Sequence, residues 1–129
     1  MPELAAEYIE ALKTIPQELK VAQMGLLELV KNKEATERAL ALMKIETAMA
    51  VSQAKDPETG KASYSNETAR DAETNLRLSR DEKAVRLKEA LDALRASTEK
   101  AKIELAFLEN RYSSARHILD YLASCKRGG

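Results

Sequence analysis

The sequence predicts an all-α fold: a long antiparallel helical hairpin of coiled-coil type, paired into a dimeric four-helix bundle. Three observations carry that reading. The second half of the chain holds an unbroken apolar seam at heptad spacing. The first half holds another. Between them lies the stretch DPETGKASYSNETARD (Asp56–Asp71), with Pro57 and Gly60 to reverse the chain. The whole of 1–129 then reads as one hairpin domain.

The first arm is predicted over about residues 3–54. Ala5, Tyr8, Leu12, Ile15, Leu19, Ala22, Leu26 and Leu29 step by three and four. After Lys33 and Thr36 the frame resumes at Leu40, Met43, Thr47, Ala50 and Ala54. Pro16 falls inside it. Thr14 and Gln17 form a capping-box pattern around that proline, which is tolerated at the start of a helix and costs ~3 kcal/mol in its interior. The expectation is a short helix over about 3–13, a kink or break, and a long helix over about 16–54.

The loop is predicted at about 55–65, and the second arm at about 66–124, with Asn66 as its N-cap. Its seam is Leu87, Leu91, Leu94, Thr98, Ala101, Leu105, Leu108, Tyr112, Ala115, Leu119 and Leu122. A 3.5-residue period held this long indicates helices packed lengthwise. Residues 16–54 span roughly 58 Å, the short helix adds roughly 16 Å, and residues 66–124 span roughly 88 Å at 1.5 Å per residue. Arms that nearly match in length imply a hairpin with its tip at the loop.

Toward the loop the seam fails. Its frame, followed back, reads Arg80, Arg77, Glu73 and Arg70. Two readings are open. The helix restarts near Ser79, whose capping-box partner is Glu82, so that 66–78 buries Leu76 and Leu78 in its own frame. Otherwise one helix continues, and the bundle splays to leave Arg70, Arg77 and Arg80 accessible. Those arginines either pair with Glu46, Asp71, Glu73 and Asp81, or contact a phosphate or carboxylate. Lys88, Arg95, Lys102 and Arg116 form a basic stripe behind them, interrupted by Glu109.

Apolar residues also lie off the seams: Val21, Met24, Leu27, Val30, Leu42, Ile45, Met49 and Val51 in the first arm, and Ile103, Phe107, Ile118 and Tyr121 in the second. A helix apolar on more than one face needs more than one neighbour. Leu27, Val30, Leu42, Ile45, Met49, Ile103 and Phe107 are therefore the expected self-association surface of a homodimer, with a different protein partner as the competing occupant.

Composition narrows the function. The 129 residues carry 21 basic and 21 acidic side chains, a balance unlike that of a strongly basic nucleic-acid module or a polybasic membrane binder. Residues 1–60 have 7 basic and 10 acidic groups, net −3, and residues 61–129 have 14 and 11, net +3. Opposite charge on the two arms favours attraction between them. One Phe and no Trp leave few large core anchors. No signal peptide and no run of ~18 apolar residues stands in the sequence, so no membrane contact and a cytoplasmic location are expected.

Motifs for chemistry fail on inspection. The TGKAS stretch resembles a phosphate-binding loop, but Lys55 stands where the first glycine belongs and Ala62 where Ser or Thr belongs. Asp56, Glu58 and Glu67 match positions 1, 3 and 12 of a calcium loop, yet Lys61 occupies the glycine position. His117 has no nucleophile or ligand set around it in the sequence, and Cys125 is the sole cysteine. No enzyme activity, metal or cofactor is expected.

The segments YSNETARDAETNLRLSRDEKAVRL (Tyr64–Leu87) and KIELAFLENRYSSAR (Lys102–Arg116) resemble a loose group of small helical, coiled-coil proteins of unassigned function from bacteria, phages and prophages. The matching residues are Asn66, Glu67 and Arg70, then Leu105, Leu108 and Tyr112, over about half the chain. The resemblance implies no activity; the group's link to phage replication and recombination genes implies an accessory role in DNA metabolism. Two functions are thus expected in order: a non-enzymatic, self-associating scaffold or adaptor, and alternatively a nucleic-acid accessory protein working through Arg70, Arg77, Arg80, Lys88 and Arg95.

Overall fold

The computed structural model describes the backbone of residues 2–128 and the side chains of 5–126. These residues form three helices and no strand: α1 (Pro2–Gln53), α2 (Glu67–Arg80) and α3 (Glu82–Gly128). No helix among them is long and apolar enough to cross a membrane. The chain divides into two units. Unit 1 joins Met1–Val30 to Ala96–Gly129, and unit 2 is Lys31–Arg95.

In unit 1 the first part of α1 packs on the last part of α3. Ile15, Thr98 and Ala115 are its buried residues, all three on the predicted seams. The flanking seam positions, from Ala5 to Leu29 and from Ala101 to Leu122, are half-buried. A pair of helices encloses a knob on the partner's side only, so most seam residues keep an open flank. The Thr98 hydroxyl is satisfied, since no buried side-chain polar atom among the described residues lacks a partner.

The break expected at Pro16 does not occur: α1 runs through it. The Thr14 hydroxyl donates to the Glu10 carbonyl at 3.1 Å, a mid-helix bond within its own turn, instead of capping. The missing proline N–H removes one helical bond, to the carbonyl of Leu12. Burial of Ile15 at 1 % exposure, one residue before, and uninterrupted helix on both sides offset that loss.

Unit 2 is a helical hairpin in its own right. Val51, Ala84 and Leu91 are its buried residues. Val51 was expected off the seam and Ala50 on it; the structure reverses them, with Ala50 exposed. The two lie side by side on the helix, and the larger side chain takes the inward place, because it removes more apolar area from water.

The loop is tied, not loose. Ser63 N–H donates to the Ala54 carbonyl at 2.9 Å and Asp56 N–H to the Lys61 carbonyl at 2.8 Å, framing an antiparallel bridge between Lys55 and Ala62. Within it, the Asp56 carboxylate accepts from Glu58 N–H at 2.9 Å, the Asp56 carbonyl accepts from Gly60 N–H at 2.8 Å, and Gly60 takes φ +69°. That left-handed backbone favours glycine. The Asp56 carboxylate thus serves the turn, the usual work of Asp at such a position.

Asn66 caps α2 as predicted, accepting from Ala69 N–H at 2.7 Å. The helix breaks, but at Asp81 and not at Ser79. The Asp81 N–H donates to the Leu78 carbonyl at 3.3 Å, closing α2, while its carboxylate accepts from Ala84 N–H at 3.0 Å, opening α3. Ser79 turns its hydroxyl back to the Leu76 carbonyl at 2.7 Å, and Glu82 pairs with Arg86. A carboxylate is the better partner for the positive N-terminal end of α3 than a hydroxyl, and Asp81 can close and open two helices with one residue. Leu76, expected inside, is exposed, and α2 has no fully buried residue.

Candidate functional site

The arginine-rich end of unit 2 is built from α2 and the loop. Arg70 and Arg77 are half-buried on the face of α2 that continues the seam frame. Their aliphatic stems lie along that face while the guanidinium groups find polar partners. Arg70 donates from Nη1 to the Tyr64 carbonyl at 3.4 Å. Arg77 donates from Nε to Glu73 Oε1 at 3.0 Å, and its guanidinium carbon stands 6.0 Å from the centre of the Tyr64 ring, the outer limit of a cation–π contact. Glu73 first, and Tyr64 second, push the Arg77 pKa up from its ordinary value. The raised value sits far above neutral pH, so this cluster gives no pH switch from the arginine side.

Two of the three arginines therefore fasten the loop to α2. Arg80 is exposed, and its side chain makes no hydrogen bond or ion pair among the described residues. Lys88 and Arg95 lie on α3, along an open groove that α1, α2 and α3 leave beside the Asp81 break. Arg95 reaches both Glu37 and Asp92 at 4.0 Å. Glu37, Glu89 and Asp92 line the same groove, so its rim is of mixed sign. The five basic residues named from the sequence do not converge on one point: two are engaged at the loop, one is solvated, and two sit among carboxylates. Tyr64 was missed as a contributor, because nothing in its spacing links a loop residue to Arg77, more than two turns into α2.

The apolar set behaves differently. Leu27, Leu42, Ile45, Met49, Ile103 and Phe107 are exposed by 55–70 %, while Val30 is half-buried. Val21, Met24 and Tyr121 join them at 62–69 % exposure. In unit 1, Phe107 and Ile118 edge a second open groove, floored by Ala11, Ile15 and Ala115 and rimmed by Glu7, Glu10 and Arg111. In unit 2, Leu42, Ile45 and Met49 share one face of α1, opposite the stripe of Leu40, Met43, Thr47 and Val51 that faces inward.

His117 and Cys125 are both exposed, and no group of three or more His, Cys, Asp or Glu is placed to hold a metal among the described residues. In the two grooves the Thr14 and Ser79 hydroxyls each donate to a backbone carbonyl, not to a carboxylate. Compared with known proteins, the chain matches no family model, and it has no match among curated proteins or solved structures.

Proposed function

We propose that this chain is a non-enzymatic helical interaction protein that self-associates, two copies completing a four-helix bundle that serves as a scaffold or adaptor. One observation carries the reading: helices whose inward stripes are already paired carry a second apolar stripe on the outward side, Leu42, Ile45 and Met49 in unit 2 and Ile103 with Phe107 in unit 1. Single exposed apolar residues are ordinary, whereas stripes at helical spacing are the contact pattern of helix packing.

The exposed area supports it. The chain leaves 9702 Å² accessible, against about 6,800 Å² expected for a folded monomer of 14.3 kDa. The surplus, roughly 2,900 Å², exceeds the ~800 Å² that each partner gives up in an interface of standard size. Size exclusion coupled to light scattering tests the reading. The expected mass is about twice 14.3 kDa at micromolar concentration; a monomer at every concentration up to the millimolar range would overturn it.

A further inference from the structure

We propose that the outer face of α1 in unit 2 is a two-fold, antiparallel contact with the same face of a second copy of this chain. The placement rests on the self-association reading and specifies it. Leu42, Ile45 and Met49 are exposed by 55–58 % and follow one another by three and four residues. Ala41, Ala48 and Ser52 fill one flank of that face and exposed Glu46 edges the other, so small residues stand beside the large ones and the only carboxylate is at the rim. Such a face admits another helix closely and keeps that charge in reach of water.

Charge then sets the direction. Arg38 lies seven residues before Ile45, on the same face, exposed and without an ion pair among the described residues. A parallel two-fold pairing would set Arg38 against its own copy, which is repulsive. An antiparallel pairing with Leu42 against Ile45 of the second copy instead sets Arg38 against Met49, within about a turn of the end of α1 at Gln53. The last turn of α1 contains no basic residue, the nearest being Lys55 in the bridged loop two residues past its end, so a cation on this face adds to what faces the negative end of its helix dipole. Arg38 from the other copy supplies one, twice over by symmetry, with its stem along Met49. The face is thus self-complementary in shape and in charge, as a two-fold contact between identical copies requires.

The test uses the full chain in a Cys125→Ser background. Ile45→Cys should give a covalent dimer with a short bis-maleimide, whereas Arg86→Cys, on exposed α3 surface, should not. Ile45→Glu should raise the dimer dissociation constant at least about 30-fold, and Arg38→Ala a few-fold. Far-UV circular dichroism checks that Ile45→Glu remains helical; if it does not, the cross-link decides. A dimer that survives Ile45→Glu and gives no Ile45→Cys cross-link overturns this placement and leaves self-association standing. A parent protein that is monomeric throughout overturns both.

Discussion

Unit 1 and unit 2 are made from the same two long helices, yet they are held differently. Unit 1 rests on an apolar seam in which Ile15 and Ala115 are buried and no helix end intervenes. Unit 2 buries Val51, Ala84 and Leu91 on α1 and α3, but it also contains a bridged loop, two side-chain caps and the Arg77–Glu73 pair, and its helix α2 buries no residue fully. Where the seam carries large apolar side chains, packing alone sustains the helix. Where it carries arginines, local hydrogen bonds at the ends of short elements replace the missing core. The contrast shows that one heptad frame can persist along a chain while the interaction that stabilises it changes.

The largest expected effect separates the two kinds of support. Ile15→Ala in unit 1 should destabilise by about 3 kcal/mol, from lost burial and the cavity left behind, and Val51→Ala in unit 2 by about 2 kcal/mol. Urea unfolding followed by circular dichroism reads both. The extra methylene of isoleucine accounts for the difference of about 1 kcal/mol, so a larger loss at Val51 than at Ile15 would break the distinction by showing that unit 2 leans on its core the more heavily.

A smaller effect concerns the caps. Asp81→Ala should cost about 1 kcal/mol, because Ala84 loses its side-chain acceptor, while Ser79→Ala should stay within about 0.5 kcal/mol. The reverse ranking, read from thermal midpoints of the two variants, would move the helix start back to Ser79.

An effect no larger sets one glycine of each unit against the other. A Cβ at Gly25, exposed in mid-helix, meets nothing within 4 Å, so Gly25→Ala should stabilise by about 0.5–1 kcal/mol. A Cβ at Gly60 also meets nothing, but its φ of +69° makes Gly60→Ala destabilising by about 1 kcal/mol. Opposite signs in chemical denaturation confirm that the loop is fixed in its left-handed turn; a neutral Gly60→Ala would show that it is not.

Much of the frame was readable in advance. The seams named from period alone are buried or half-buried at every position but Ala50, whose place Val51 takes, because inward facing in a paired helix is largely a matter of spacing. Asn66 was readable because it is the capping type nearest the point where helical spacing resumes. Ser79 and Asp81 are both good caps two residues apart, and spacing does not rank them; only the closing bond to Leu78 does. Pro16 misled because a local cost was weighed without the packing of Ile15 next to it. The arginines were located correctly on the inward frame, but their engagement with Tyr64 and Glu73 depends on where a loop folds, which no periodicity encodes.

The bridged loop has a kinetic consequence. Ala54 and Ser63 meet after a short excursion of chain, whereas Ile15 and Ala115, which line one groove, come from opposite ends of the sequence. Closing the longer excursion first would cost roughly 2 kcal/mol more in chain entropy than closing the shorter one. Chain entropy accordingly favours helix pairing that starts at the Lys55–Ala62 bridge and zips outward, each added turn shortening the excursion that remains. The turn between the arms is the nucleus that low contact order favours.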